Sequence, residues 1–196
     1  MILLVAKPYI NNLKEAKEFI DTLNIPSKFE SRDYQIKAFA HAVRDRRALL
    51  LSPTASGKSF IIYLLTRYYN RKTLIIVPTT SLVSQLYSDF TDYGFDSNSN
   101  IHRIFGGQDK FVDRPITIST WQSIYKLPKE FFEQFDFIIG DEAHGYKADR
   151  LGAIMKKLTK ASYRIGTTGT LDGEVHKLVV EGHFGPAIKL ATTKEL

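Results

Sequence analysis

Ser52-Pro53-Thr54-Ala55-Ser56-Gly57-Lys58-Ser59 stands between two apolar runs, Ala48 to Leu51 and Phe60 to Leu65. The first run reads as a buried strand and the second as the start of a helix. A loop ending Gly-Lys-Ser at such a junction cradles phosphate, because successive backbone N–H groups turn inward and the helix N-terminus adds positive potential. In that setting Pro53, Thr54, Ala55, Ser56 and Gly57 line the cradle. Lys58 reaches the outer phosphates, and Ser59 offers its hydroxyl to Mg²⁺. The usual pattern opens with glycine where this chain has Ser52, so a Gly-Lys-Ser in an ordinary surface turn is the alternative reading. The rest of the chain decides between them.

Phe135 to Gly140 reads as a buried strand running into Asp141-Glu142-Ala143-His144. Two adjacent acids at the end of an apolar strand are costly unless they have chemistry to perform. Behind a phosphate loop, Asp141 can hold Mg²⁺ through water, and Glu142 can orient and activate an attacking water. His144 suits a hydrogen-bonding link between neighbours better than a metal ligand, since no companion spacing for zinc accompanies it.

Outward from these stretches the chain alternates strands and amphipathic helices. Residues 1–28 give a short strand, Ile2 to Val5, and a helix from about Leu13 to Leu23, with Leu13, Ala16, Lys17, Ile20 and Leu23 on one face and Pro26 at the exit. They form a small cap on the main sheet or a separate small DNA-binding module. Arg32, Tyr34 and Gln35 precede a helix carrying Ile36, Phe39, Ala40 and Val43. The Gln35 amide matches the N6 and N7 edge of adenine, and the Arg32 guanidinium can stack on the base; a solvated helix start is the plain alternative. Thr73 to Val77 is a strand ending at Pro78-Thr79-Thr80-Ser81, ahead of a helix with Leu82, Val83, Leu86 and Phe90. Those hydroxyls and free amides suit a phosphate backbone, simple helix capping, or both.

Ile101 to Phe105 is a strand ending at Gly106-Gly107, a pair that admits close backbone approach or makes a turn. Ile116 to Ser119 is another, closed by Thr120-Trp121-Gln122-Ser123. Trp121 serves as a stacking platform for a base or as a packing ring. Ala161 to Gly166 ends at Thr167-Thr168-Gly169-Thr170, a helix follows Asp172-Gly173, and Ala187 to Leu190 is a last short strand.

This order predicts an α/β fold with a mostly parallel sheet covered on both faces. Ligands are expected beyond the C-terminal strand ends. A chain of 196 residues suffices for one sizeable core. The absence of cysteine excludes a disulfide framework and thiolate metal sites. There is no apolar run long enough for a bilayer, and Met1 to Ala6 is too short for a signal-peptide hydrophobic region. A net charge of +6 favours a polyanionic partner.

Taken together, about residues 29–190 resemble the first motor domain of superfamily 2 helicases and translocases, with a DEAH-type acidic box. Arg32 and Gln35 match the adenine-recognition motif, residues 52–59 motif I, Pro78 to Gln85 motif Ia, Asp141 to His144 motif II and Thr168-Gly169-Thr170 motif III. Gly106-Gly107 and Thr120 to Ser123 match the strand-contacting segments of the same domain. The phrasing at Ala55-Ser56-Gly57-Lys58 and Thr120-Trp121-Gln122 is similar to phage UvsW-type helicases, which remodel branched DNA. Ser52 departs from the usual Gly or Ala, and Thr168 from the commoner Ser.

The resemblance implies a RecA-like P-loop NTPase using ATP and Mg²⁺, with Lys58, Asp141 and Glu142 catalytic and Ser59 and Asp141 at the metal. It implies DNA, single-stranded or branched, held through its phosphate backbone by Pro78, Thr79, Thr80, Gly106, Gly107, Thr120, Trp121 and Gln122. His144, Thr168 and Thr170 would couple the two sites. It also implies a second motor domain, in cis or in trans, that supplies arginine fingers, with residues 191–196 opening the linker towards it. The 196 residues alone would then bind ATP yet barely hydrolyse it. No membrane partner is expected, and the compartment is cytoplasmic, that of the host if the chain is phage-encoded. The same domain serves RNA helicases and translocating restriction subunits, and a nucleotide-gated DNA-binding protein without turnover is a further alternative. Residues 1–28 match no module of the family.

Overall fold

The computed structural model describes residues 10–52, 57–107, 109–111, 113–143, 148–169 and 174–190. The strands are β1 Arg47–Leu51, β2 Thr73–Val77, β3 Ile101–Ile104, β4 Ile116–Thr120, β5 Phe137–Gly140, β6 Tyr163–Thr168 and β7 Ala187–Lys189. They form one parallel sheet in the order β3-β4-β2-β5-β6-β1-β7. The helices are α1 Leu13–Thr22, α2 Asp33–Asp45, α3 Lys58–Tyr69, α4 Thr80–Asp92, α5 Ser97–Asn100, α6 Trp121–Ile124, α7 Lys129–Phe132, α8 Ala148–Lys157 and α9 Glu174–Phe184.

The sheet is apolar on both sides because its strands alternate between two cores. Ile75 and Val77 of β2, Ile139 of β5 and Leu50 of β1 join one core with α1 to α4. Leu74 and Ile76, Ile138 and Leu49 join the other with α6 to α9. Helix α3 is buried nearly all round, from Phe60 through Thr66, which explains its lack of a polar face. Helix α1 starts at Asn12, whose side chain accepts the Glu15 N–H at 3.0 Å. It caps the helices rather than the sheet: Phe19 stacks on Phe39 of α2 at 5.6 Å and meets Tyr68 of α3 edge-on at 5.3 Å. Ala16 and Ile20 are buried as their spacing predicts, but Leu13 is 41% exposed, at the helix start. The expected strand at Ile2 to Val5 lies outside the described residues.

Helix α9 docks through one ring. Gly140 and Gly166 are paired across β5 and β6, and Phe184 lies against both. A Cβ on Gly140 would stand 2.6 Å from the Phe184 ring, and one on Gly166 would stand 2.7 Å from Leu49 and 3.0 Å from Phe184. Gly185, at φ +116, then turns the chain into β7 within 2.7 Å of the Arg47 carbonyl for any added Cβ.

Because all pairings are parallel, every strand ends at the same edge of the sheet. The strand order divides that edge in two. β5, β6 and β1 bring together the acidic pair, Thr167 and Thr168, and Ser52, where the loop read as a phosphate cradle begins. β2, β4 and β3 bring together Pro78 to Thr80, Thr120 to Gln122, and Gly106-Gly107.

Candidate functional site

Gly57 precedes α3 with φ +69, a left-handed conformation that suits glycine. A neighbour imposes a second requirement. The buried Gln35 of α2 accepts the Arg32 N–H at 2.9 Å and donates through Nε2 to the Gly57 carbonyl at 3.3 Å. A Cβ on Gly57 would come within 2.4 Å of that nitrogen. The segment read as adenine-binding is therefore tied directly to the end of the phosphate loop. Between them opens a cavity of about 230 Å³, lined by Phe29, Arg32, Gln35, Gly57, Phe60 and Tyr93 among others. Arg32 borders it and donates to the Tyr34 hydroxyl at 3.1 Å. Phe29 and Tyr93, whose rings meet edge-on at 5.0 Å, line this cavity and are residues that the sequence reading did not select for a site. An aromatic just ahead of Arg32 was the available signal for Phe29.

At the acidic pair, Asp141 is 6% exposed. Its Oδ1 accepts the Thr167 hydroxyl and the Glu142 N–H, the latter at 3.0 Å. Burial pushes its carboxyl above the ordinary carboxylate range; the Thr167 hydrogen bond opposes this, the Glu142 charge adds to it, and Lys58 opposes it. Glu142 has φ +49, left-handed for a residue with a long side chain. Such a backbone costs on the order of 1–3 kcal/mol and is held where the surroundings over-determine it. Here the fixing contacts are on the side chain: Lys58 Nζ lies 2.6 Å from Glu142 Oε1, and the Gly169 N–H donates to Oε2 at 3.4 Å.

The buried Lys58 ammonium has no hydrogen-bond partner of good geometry among the described residues, its ion pair with Glu142 aside. A desolvated cation, beside a left-handed glycine at a helix start, fits a polyphosphate. Among the described residues no three His, Asp or Glu side chains gather as a metal cage. Mg²⁺ needs none, since it is held by one or two carboxylates with substrate phosphates and water, and Asp141 and Ser59 offer such oxygens. Ser59 Oγ lies 2.9 Å from the Tyr93 hydroxyl. Pro53, Thr54, Ala55, Ser56, His144 and Thr170 lie outside the described residues.

The other half of the edge is joined by Gln122, whose Nε2 donates to the Pro78 carbonyl at 3.1 Å. Thr79 caps α4 by accepting the Leu82 N–H at 3.3 Å and lies 3.0 Å from Ser81 Oγ. Thr80 is exposed. Gly106 and Gly107 are both left-handed, with open space where a side chain would stand. Thr120 is buried, its hydroxyl 2.8 Å from that of Ser123. Trp121 is half-buried on the second core, 6.0 Å from the Tyr125 ring. Thr168 is fully buried in β6.

Comparison with known proteins agrees with this geometry. Residues 28–173 match the family described as type III restriction enzyme, res subunit. The chain is 37% identical over 195 residues to the ATP-dependent DNA helicase uvsW of Enterobacteria phage T4, covering 93% of this chain and 39% of that protein. It is 31% identical over 201 residues to a DNA 3'-5' translocase of Sulfurisphaera tokodaii, covering 98% of this chain and 44% of the other. The chain thus spans less than half of these curated relatives. A crystal structure of the UvsW helicase from bacteriophage T4 superposes with a TM-score of 0.82 at 35% identity, over 91% of this chain and 67% of that one.

Proposed function

The chain belongs to the type III restriction enzyme res-subunit family, within superfamily 2 of the helicases, and we propose that it is the ATP-binding motor domain of a DNA helicase acting on forked or branched DNA. The observation that carries the reading is the partly buried Lys58–Glu142 pair at 2.6 Å, beside the buried Asp141. Lys58 exchanges Glu142 for the outer phosphates of ATP. Glu142, released, accepts a hydrogen bond from the attacking water and orients it. Asp141 and Ser59 would hold Mg²⁺, which when bound would supply electrostatic stabilisation to the phosphoryl oxygens. Gln35 and Arg32 recognise the base in the cavity that Phe29 and Tyr93 wall.

DNA lies along the β2, β4 and β3 ends, on Thr79, Thr80, Gly106 and Gly107, with Gln122 fixing Pro78 between them. Contacts go to the phosphate backbone and are independent of sequence. A second motor domain, in cis or in trans, completes the ATP site, and the protein works in the cytoplasm. Among the described residues no helix is long and apolar enough to cross a membrane. The res-subunit match and the translocase relative favour one other reading, a translocase that tracks along duplex DNA without unwinding it.

The test uses a polypeptide of these 196 residues. ATP binding by calorimetry should be strong in the parent and lost in folded Lys58→Ala; equal affinities would sink the assignment. Turnover should sit near background, because an arginine from a second motor domain contributes roughly 10³–10⁵ in rate. Single-stranded and forked DNA should bind with an affinity that falls steeply with salt. Preference for RNA, or salt-independent binding, would remove the DNA half of the proposal.

A further inference from the structure

We propose that Tyr93 is a positioning residue for the metal-binding hydroxyl of Ser59. The inference rests on the reading of Ser59 as a Mg²⁺ ligand and goes beyond it. A serine hydroxyl has one hydrogen and two lone pairs. To ligate a cation it presents a lone pair, so its hydrogen must be given to an acceptor elsewhere. Tyr93 OH stands 2.9 Å from Ser59 Oγ, and the half-buried Asp89 carboxylate faces the same serine. Both belong to the end of α4, where the Tyr93 N–H closes the helix on the Asp89 carbonyl. One of the two oxygens accepts the single Ser59 hydrogen on the α4 side, and at least one lone pair is left for the metal.

The phenol is held for this task. Its ring is 7% exposed and packs against Phe29 at 5.0 Å, Phe60 at 5.2 Å and Tyr63 at 5.1 Å. The ring alone satisfies that packing, as phenylalanine would. The hydroxyl is the part that packing does not explain, and its neighbour is the serine after the phosphate-loop lysine. Partners of this kind, bonded to a metal ligand rather than to the metal, typically change metal affinity by about 10–100-fold when removed.

The experiment is a Mg²⁺ titration of binding of a fluorescent ATP analogue to the full 196-residue chain, with a parallel measurement in EDTA. Tyr93→Phe retains the ring contacts and should fold. It should raise the half-saturating Mg²⁺ concentration about 10–100-fold, a far larger change than any in nucleotide affinity measured in EDTA. Asp89→Asn should shift the same quantity in the same direction. In a Ser59→Ala background, Tyr93→Phe should add nothing, because the group it positions is gone. An equal loss in EDTA, or full additivity with Ser59→Ala, would show Tyr93 to be structural and overturn the proposal. A Ser59→Ala chain with parental Mg²⁺ dependence would overturn it too, by removing the ligand. Lys58→Ala reports separately on nucleotide binding, so failure of the ATP reading is told apart from failure of this one.

Discussion

Asp141 stands in a place that disfavours ionisation. Its carboxyl is raised above the ordinary range chiefly by burial. A carboxyl whose folded pKa exceeds its unfolded one contributes stability below the unfolded value and loses it as pH rises through the folded value. Ionising Asp141 therefore weakens the fold. Asp141→Asn keeps an Oδ1 acceptor for the Thr167 hydroxyl and the Glu142 N–H. It should raise the thermal midpoint at pH 7 and abolish Mg²⁺-dependent nucleotide binding, with the stability gain shrinking as pH falls into the carboxylate range. A midpoint at pH 7 below the parent's would contradict this account. The acidic pair itself was legible, because two acids after an apolar run have few other uses. The left-handed Glu142 and its bond to Lys58 were not, since both depend on how β5 and α3 meet in space. Phe29 and Tyr93 escaped for the same reason: each is an ordinary apolar residue until the fold sets them edge to edge.

Helix α9 shows why element boundaries were harder to read than elements. Its seat is the Gly140–Gly166 pair, filled by Phe184, and nothing near either glycine in sequence announces that ring. Gly166→Ala would press a methyl onto Leu49 and Phe184, which are 0% and 1% exposed and have nowhere to go. We expect a loss of about 1–3 kcal/mol, read by urea denaturation, partly recovered by Phe184→Leu in the same chain. An unchanged midpoint would mean that α9 is not seated by this contact. The strand ends moved for a related reason. β6 runs on through Thr167 and Thr168, and β4 through Thr120, because hydroxyls that find partners, as Thr167 does on Asp141, are admitted to a buried strand. Conversely, β5 begins at Phe137 rather than Phe135. Phe135 is apolar for another purpose, packing 5.5 Å from Phe131 of α7.

Over the whole molecule, the alternation of motifs carried the parallel sheet and its shared functional edge into view. The strand order was not readable, because periodicity says which face a residue takes and not which strand lies beside it. That order has a consequence for how the protein is born. β1, which leads into the phosphate loop, is bonded on one side to β6, with Arg47 to Leu51 beside Arg164 to Thr168, and on the other to β7. Both neighbours leave the ribosome long after β1 does, more than a hundred residues further along the chain. Pairing so distant along the chain is slow, and it cannot begin before the partner exists. A nascent chain ending at residue 160 already holds Lys58, Asp141 and Glu142, yet β1 has no strand on either flank. Released chains cut there should fail to bind Mg²⁺-ATP, and chains extended through β7 should recover it; binding by the shorter set would refute the order. The loop read as a phosphate cradle follows β1, the first strand of the sheet to be made, yet β1 is among the last to gain its neighbours, so a chain made only part of the way should not hold nucleotide.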